Sequence, residues 1–414
     1  MKIYLVGGAV RDQLLHLEVL EKDYVVVGAT VEEMLAKGYK ACGKDFPVFL
    51  HPKTHEEYAL ARTERKISKG YHGFSFYAAP HVTLEEDLKR RDLTINAMAL
   101  DSNGQLIDPF NGQKDLQDKI LRHVSAAFAE DPVRILRVAR FYARYYHLGF
   151  KIAPETILLM QEIVKKREVE ALVAERVWQE TLKALKERNP EKFFEALNIC
   201  GALVKIFPEL FNLFGVPQNP KHHPEIDTGI HTLMVLKAAT NLTNDLEVRF
   251  AALCHDFGKG LTPKQQWPFH KGHEKAGLVL VNALCDRYKV PKTYKQLALA
   301  VTEYHGEIHQ CINFNPSKLI DLIEKLDGYR RPLRFNKILL TCQADSQGRT
   351  GFETMPYPQK KFLTKILKAT QKIDTTSLIN QGIKGQDLAQ AIWQQRIDIA
   401  AKLITTSKKS DNAS

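Results

Sequence analysis

The stretch Glu130-Asp131-Pro132-Val133-Arg134-Ile135-Leu136-Arg137-Val138-Ala139-Arg140-Phe141 sets one aspartate and three arginines at intervals of three residues. At about 100° per residue, Asp131, Arg134, Arg137 and Arg140 fall in one half of a helix, while Ile135, Leu136, Ala139, Tyr142 and Ala143 fall in the other. A carboxylate accepts from the exocyclic amine of cytosine or adenine, and a guanidinium offers a fork of donors to a base edge or a phosphate. Such a face suits recognition of a nucleotide. Arg-rich helix faces are also often just solvated, and Asp-Pro is a good helix start, with Asp131 as N-cap and Pro132 at the first helical position. The apolar half can bury itself; the charged half is expected to face a partner or water.

Upstream segments add the parts of a phosphate site. Met1 to Val6 reads as an apolar strand running into Gly7-Gly8 and a helix start at Ala9 to Asp12. Glycines there let backbone N–H groups approach a phosphate, although a tight turn needs glycine for steric reasons alone. Glu21 and Asp23 flank one residue at the edge of the apolar run Tyr24 to Gly28. Strand alternation points both carboxylates to one side, as a magnesium ion requires when phosphates and water complete its shell. In Arg90 to Ala99, Arg91 could hold a triphosphate, and Asp92 or Asn96 could orient the reacting hydroxyl or sugar. Asp108 to Gly112 has the composition of a turn.

The second half of the chain holds a different set of ligands. His231 lies in the run His222 to Met234, and Phe250 to Gly260 reads as an apolar helix that ends in His255-Asp256. An imidazole and a carboxylate at a sharp chain exit suit several divalent metals, nickel, cobalt and manganese among them, and spacing does not name the ion.

The elements that must position these residues are α/β to about residue 120 and largely helical from there to the end. The segment Pro217 to Pro224 resembles a linker, and Thr405 to Ser414 is polar and expected to fray. With 414 residues the chain has room for two or three domains. Its net charge of +11 is the balance of a protein that neutralises RNA phosphates. The basic residues are dispersed, as in Lys165-Lys166-Arg167, Lys183 to Arg188 and Lys360-Lys361. The six cysteines include no C-x-x-C pair and read as reduced, mostly buried residues of a cytoplasmic protein. The first apolar run is too short, and too soon followed by charge, for a signal peptide or a membrane span.

In the order Gly-Gly-x-Val-Arg-Asp, acid-x-Asp, Arg-Arg-Asp-Leu-Thr-Ile-Asn-Ala and Glu-Asp-Pro-x-Arg-Ile-Leu-Arg, the chain resembles the class II tRNA nucleotidyltransferases, the CCA-adding enzymes, and especially the bacterial type with an HD tail. The resemblance covers nearly the whole chain. It implies an α+β fold, with a polymerase-beta-type nucleotidyltransferase head at 1–120, a helical neck and body at 121–220, an HD domain at 221–350 and a helical tail at 351–414. Gly8 and Arg11 would contact the nucleotide, and Glu21 and Asp23 would bind magnesium. Arg91, Arg137 and Arg140 would hold the triphosphate and sugar, and Asp131 and Arg134 would read the base of CTP or ATP. Glu21 stands where many relatives have Asp, and Glu57 and Glu64 are both candidates for a third acid.

The second set resembles the HD phosphohydrolase superfamily. His231, His255, Asp256 and Asp345 would hold a transition metal such as nickel, with His255 and Asp256 also catalytic, and His273 and His305 could add ligands or meet phosphate. The implied activities are addition of CCA to tRNA, together with phosphatase, 2′-nucleotidase and 2′,3′-cyclic phosphodiesterase reactions. The implied partners are tRNA, CTP and ATP, with no membrane, in a monomer or homodimer. A poly(A) polymerase shares the head motifs. An enzyme that modifies and demodifies a regulatory protein would need sensing modules after the HD region, and roughly 70 residues follow Asp345. A non-catalytic RNA-binding protein is disfavoured by the intact carboxylate pair.

Overall fold

The computed structural model describes residues 1–42, 48–66, 74–221 and 223–411, with 64–66, 74–76 and 407–411 described as backbone only. The Glu64 side chain and His222 therefore lie outside the described residues. The chain divides into two compact units, Met1–Pro208 and Glu209–Ser414.

The first unit is built on a sheet of seven strands in the order β3-β4-β5-β2-β1-β8-β9. Its strands are β1 (Lys2–Val6), β2 (Asp23–Val27), β3 (Lys40–Cys42), β4 (Val48–Leu50), β5 (Glu57–Leu60), β8 (Ala99–Leu100) and β9 (Leu106–Ile107). Two short pairs complete the strands: β6 (Arg62–Lys66) with β7 (Phe74–Ala78), and β10 (Ile120–Leu121) with β11 (Lys151–Ile152). The run Glu57 to Glu64, which sequence suggests as one strand, is broken at Ala61 and divided between two sheets.

Alternation along β2 explains how the sheet is covered. Val25 faces one core with Val6, Leu88 and Ala99, while Val26 faces another with Met34, Phe49 and Leu60. Around the sheet lie α1 (Gly8–Leu14), α2 (Val31–Ala36), α3 (Leu84–Lys89) and α4 (Gly112–Asp118). Thr30 with Glu33 and Thr83 with Glu86 form capping boxes that start α2 and α3. The Asp108 carboxylate accepts from the N–H groups of Gly112 and Gln113, so the expected turn also caps α4. Beyond residue 120 come α5 (Val133–Tyr145), α6 (Pro154–Lys165), α7 (Ala174–Lys186), α8 (Glu191–Ile199) and α9 (Leu203–Ile206). The apolar half of α5 is buried, Ile135, Leu136 and Ala139 fully so.

The second unit is helical: α10 (Pro208–Phe211), α11 (Thr228–Leu242), α12 (Leu246–Cys254), α13 (His273–Arg287), α14 (Lys292–Gln310), α15 (Pro316–Lys325), α16 (Pro332–Gln347), α17 (Pro358–Thr370), α18 (Thr375–Asn380) and α19 (Gly385–Asp411). Helices α11, α12, α14 and α16 pack on one another around Val235, Leu236, Leu253, Val301 and Ile338, all buried. The chain turns out of α12 through Gly258, where a Cβ would lie 1.9 Å from the carbonyl oxygen of His273. Only glycine lets that turn meet the start of α13 so closely. Among the described residues no helix is long and apolar enough to cross a membrane.

Candidate active sites

In the first unit, β1 passes the chain to Gly7 at φ 69°. A Cβ there would lie 2.8 Å from Nη1 of Arg91, so glycine is what lets this guanidinium lie against the turn that precedes Gly8 and α1. Antiparallel pairing sets Val6 opposite Asp23, and parallel pairing sets Glu57 beside Asp23 on the next strand. Glu21 precedes β2 instead of lying on it, so the alternation expected to align the two acids does not extend to it. It still acts on Asp23, whose carboxyl is pushed up by burial, pulled down by Arg91 and pushed up again by Glu21. A divalent cation relieves the repulsion Asp23 feels from its neighbour, and this pair of acids fits one.

Arginines and carboxylates link these residues into one network. The buried Arg11 donates through Nε to Asp12 Oδ1 at 2.8 Å and through Nη1 to the Asn96 amide oxygen. Asn96 Nδ2 donates to Asp92 Oδ1 at 2.9 Å, and Arg137 Nε donates to Asp92 Oδ2 at 2.6 Å. Asp12 also accepts from Arg144 and the Tyr145 hydroxyl. Arg140 pairs with Glu180 of α7 at 2.7 Å, and Arg90 and Arg91 share Asp87. Although burial works against the ionised Asp92, Arg137 and the hydrogen bond from Asn96 hold its carboxyl well below the usual range. Phe141 lies under three guanidinium groups, those of Arg140 at 4.4 Å, Arg11 at 5.1 Å and Arg137 at 5.7 Å. Among the described residues, seven arginines (11, 90, 91, 137, 140, 144 and 176) pair with five carboxylates, so several guanidinium groups share an acid.

The charged half of α5 was expected to face a partner or water, and here the structure differs. Arg134 and Arg140 are buried, because other segments bring acceptors to them. Arg134 donates to the carbonyl oxygens of Ala127 at 2.7 Å and Arg90 at 2.6 Å, and a guanidinium is buried cheaply only where such acceptors wait. Asp131 stands one residue further outside the helix than expected, since α5 begins at Val133, but its Oδ1 still accepts from Val133 N. Arg176 clasps Asp131 at 2.8 Å. Phe141, Arg176 and Glu180 were not singled out from sequence; Phe141 at four residues past Arg137 was the one available signal.

In the second unit, His231 on α11, His255 and Asp256 after α12, His273 on α13, His305 on α14 and Asp345 on α16 converge. Their atoms form two groups, His231 with His255 and Asp345, and Asp256 with His273 and His305, each within 4.8 Å. His231 Nε2 is 3.1 Å from Asp345 Oδ1, and His273 Nε2 is 3.3 Å from Asp256 Oδ1. His255 Nε2 is 3.2 Å from Asp256 Oδ2, yet it and Asp256 Oδ1 are buried without hydrogen-bonded partners among the described residues.

The tautomers follow from what lies behind each ring. The Nδ1–H of His255 points to the Ala252 carbonyl, that of His273 to His270 and that of His305 to Val301, while His231 Nδ1 lies 2.9 Å from Glu225 Oε1. Every Nε2 lone pair then faces inward, a donor set that fits one or two divalent cations. His309 is wired the other way. Burial pushes the Tyr357 phenol up, so it donates to Nδ1 at 2.9 Å, and Nε2–H donates to Asp345 Oδ2 at 2.6 Å. Lys259 reaches Asp256 Oδ2 at 2.6 Å. Glu225 and Lys259 lay inside the quoted motifs without a role, and His309 is the i+4 neighbour of His305.

Comparison with known proteins follows the same division. Family models match the Poly A polymerase head domain at residues 3–122, the "Probable RNA and SrmB- binding site of polymerase A" at 149–214 and the HD domain at 228–328. The fold is that of a Thermotoga maritima CCA-adding enzyme solved with tRNA (TM-score 0.63, 20% identity, 98% of this chain and 91% of that one). It is equally that of a CCA-adding enzyme solved with ATP (TM-score 0.65, 21% identity, 99% and 90%). Two relatives named Multifunctional CCA protein are much nearer in sequence. The protein from Thioalkalivibrio sulfidiphilus is 57% identical over 97% of this chain and 98% of its own length. That from Teredinibacter turnerae is 55% identical over 99% of each. The chain belongs to this family, the multifunctional CCA proteins, which are nucleotidyltransferases carrying an HD domain.

Proposed function

We propose that the first unit adds C, C and A to the 3′ end of tRNA from CTP and ATP, releasing pyrophosphate, and that the HD centre hydrolyses phosphomonoesters and 2′,3′-cyclic phosphates at RNA ends. The observation that carries the first reading is the meeting at one turn of Gly7, Arg91 and Asp23, with Glu57 beside Asp23 on the next strand. In the reaction the RNA 3′ oxygen forms a bond to the α-phosphorus, the α–β anhydride bond breaks, and the hydroxyl proton leaves to water. Magnesium at Glu21 and Asp23, with Glu57 beside them as the third acid, would activate the attacking oxygen and neutralise the departing pyrophosphate. Arg11, Arg91, Arg137 and Arg140 take the triphosphate and sugar, by exchanging carboxylate partners for phosphate oxygens.

Asp131 and Arg134 read the base. Cytosine and adenine both present an amino donor beside a ring acceptor; uracil and guanine present the reverse and leave polar groups unpaired. Arg176 and the carbonyls behind Arg134 keep this pair in a fixed geometry, and a fixed pair discriminates better than a mobile one.

At the HD centre, His231, His255, Asp256 and Asp345 would hold a divalent transition metal, nickel being one that suits them, and the metal would supply an activated water. His273 and His305 offer a second position. Lys259 balances charge beside Asp256 and orients its carboxylate.

The decisive experiment incubates the protein with magnesium and tRNA ending at its discriminator base, supplying CTP, ATP, both or neither, and sequences the product ends. Addition of C, C and A that halts there is expected. An A-only tail would make it a poly(A) polymerase, and no extension by folded protein would point to a protein substrate.

A further inference from the structure

We propose that the HD cleft takes the end of an RNA strand, and that the lysine face of α17 holds the phosphates of the nucleotides leading into it. This rests on the phosphohydrolase reading above and adds the surface that would hold the strand behind the reacting end.

The cleft encloses about 660 Å³, and its walls include His223, Lys259, Phe269, His273, His309 and Arg349. Lys259 and Arg349 bring cations to it, and Arg349 Nε is buried without a hydrogen-bonded partner among the described residues. Phe269 stands in the wall with 74% of its surface exposed. An aromatic ring left open beside cations and imidazoles suits the stacking of a base.

Helix α17 starts at this cleft. Tyr357, just before it, donates to His309 Nδ1, and Gln359 in its first turn donates to the His309 carbonyl at 3.0 Å. Lys361, Lys365 and Lys368 follow at i, i+4 and i+7 on one side of the helix, and Lys372 lies just past its end. Leu363, Ile366 and Leu367 bury the opposite side. Between Glu353 and Asp374 the chain has no acidic residue. These lysines and Lys360 line a groove of about 960 Å³ that also has Tyr357 in its wall, so cleft and groove meet at that residue. Soluble surfaces usually intersperse both signs of charge. A single-sign stripe of ~10 Å from Lys361 to Lys368, at about 1.5 Å per helical residue, extended by Lys372 past the helix end, suits the backbone of a short single strand.

The test measures manganese-supported hydrolysis of 2′,3′-cyclic AMP and of an RNA octamer ending in a 2′,3′-cyclic phosphate. In a variant combining Lys361→Glu, Lys368→Glu and Lys372→Glu, kcat/KM for the octamer relative to the mononucleotide is expected to fall about tenfold, through KM. The salt dependence of the octamer's KM should flatten by about two log units per log unit of salt, for three lost contacts of roughly 0.7 each. The Lys→Gln version should show a smaller shift in the same direction, and Phe269→Ala should raise KM for both substrates about tenfold.

An unchanged ratio and salt slope would overturn the proposal. So would a variant that weakens only tRNA in nucleotide addition, since the lysines would then serve the other reaction. If the unsubstituted protein hydrolyses neither substrate with manganese, cobalt or nickel, the phosphohydrolase reading fails instead. Fluorescence anisotropy of the labelled octamer then decides the groove alone: binding lost in the Glu variant supports it, and binding retained overturns it.

Discussion

The two sites handle charge in opposite ways. In the first unit the acids that would meet a metal, Glu21 and Asp23, stand around the solvent-facing start of β2, and the deeper residues are arginines already paired with carboxylates. In the second the candidate ligands themselves are buried, His231 and His255 almost wholly, and they meet one another directly, with Arg349 reaching only Asp345. The difference teaches what each site expects its partner to bring. A head that receives a triphosphate leaves its metal shell open and gathers cations, because phosphate oxygens arrive as ligands. The HD centre gathers nitrogens and oxygens of its own, so a metal held there would draw fewer ligands from outside.

The sharpest way to break this comparison is to remove one carboxylate from each site. Asp23→Ala is expected to lower nucleotide addition about a thousandfold or more while phosphatase activity stays within about twofold, and Asp256→Ala should do the converse. Loss of both activities in either folded variant would mean that the sites are not independent.

Glu225→Gln probes the shell behind the HD ligands. With the carboxylate behind His231 Nδ1 gone, metal affinity should fall on the order of tenfold to a hundredfold in a chelator competition, with nucleotide addition intact. Unaltered affinity would show that the Gly348 carbonyl, 3.2 Å from the same nitrogen, suffices.

In the head, Asp131→Ala should reduce discrimination against UTP and GTP about tenfold, measured as kcat/KM ratios. Equal ratios in variant and parent would remove Asp131 from base reading.

The smallest effect is thermodynamic. Asp92→Asn should destabilise the first unit by about 2 kcal/mol at neutral pH, a figure discounted because Arg137 is partly exposed. Since folding depresses the Asp92 carboxyl, its contribution is fully present above the unfolded value of about 3.9 and is lost as pH falls below that. The gap between variant and parent in a thermal melt should therefore begin to narrow below about pH 4 and go on narrowing as the pH falls toward the depressed folded value. A gap that persists in acid would point to packing instead of charge.

How legible the chain was depends on whether a residue's partners lie nearby in sequence. The Gly7-Gly8 turn, the apolar half of α5 and the His255-Asp256 exit all follow from short-range pattern, because periodicity and turn chemistry act over a few residues. The inward turning of the α5 arginines does not. Glu180 is 40 residues from Arg140, and the Arg90 carbonyl is 44 from Arg134, so nothing in the helix's own sequence announces them. For the same reason Glu21 was aligned with Asp23 by a strand that starts two residues later. In the HD centre the residues that converge were legible as motif residues, while His309 and Tyr357, joined across 48 positions, were not.

One feature of the first unit bears on how it may be divided. Asp12, Asp92 and Asn96 lie within the segment matched as a polymerase head, which ends at 122, but Arg137, Arg144, Tyr145 and Phe141 lie beyond it. A fragment cut there would keep every strand of the seven-stranded sheet and lose Arg137, the cation on the buried Asp92, and Arg144, one of the two on Asp12. Homology modules and folding modules thus end at different places in this chain. A fragment meant to stand alone has to run past the sheet, at least through α7 and Glu180.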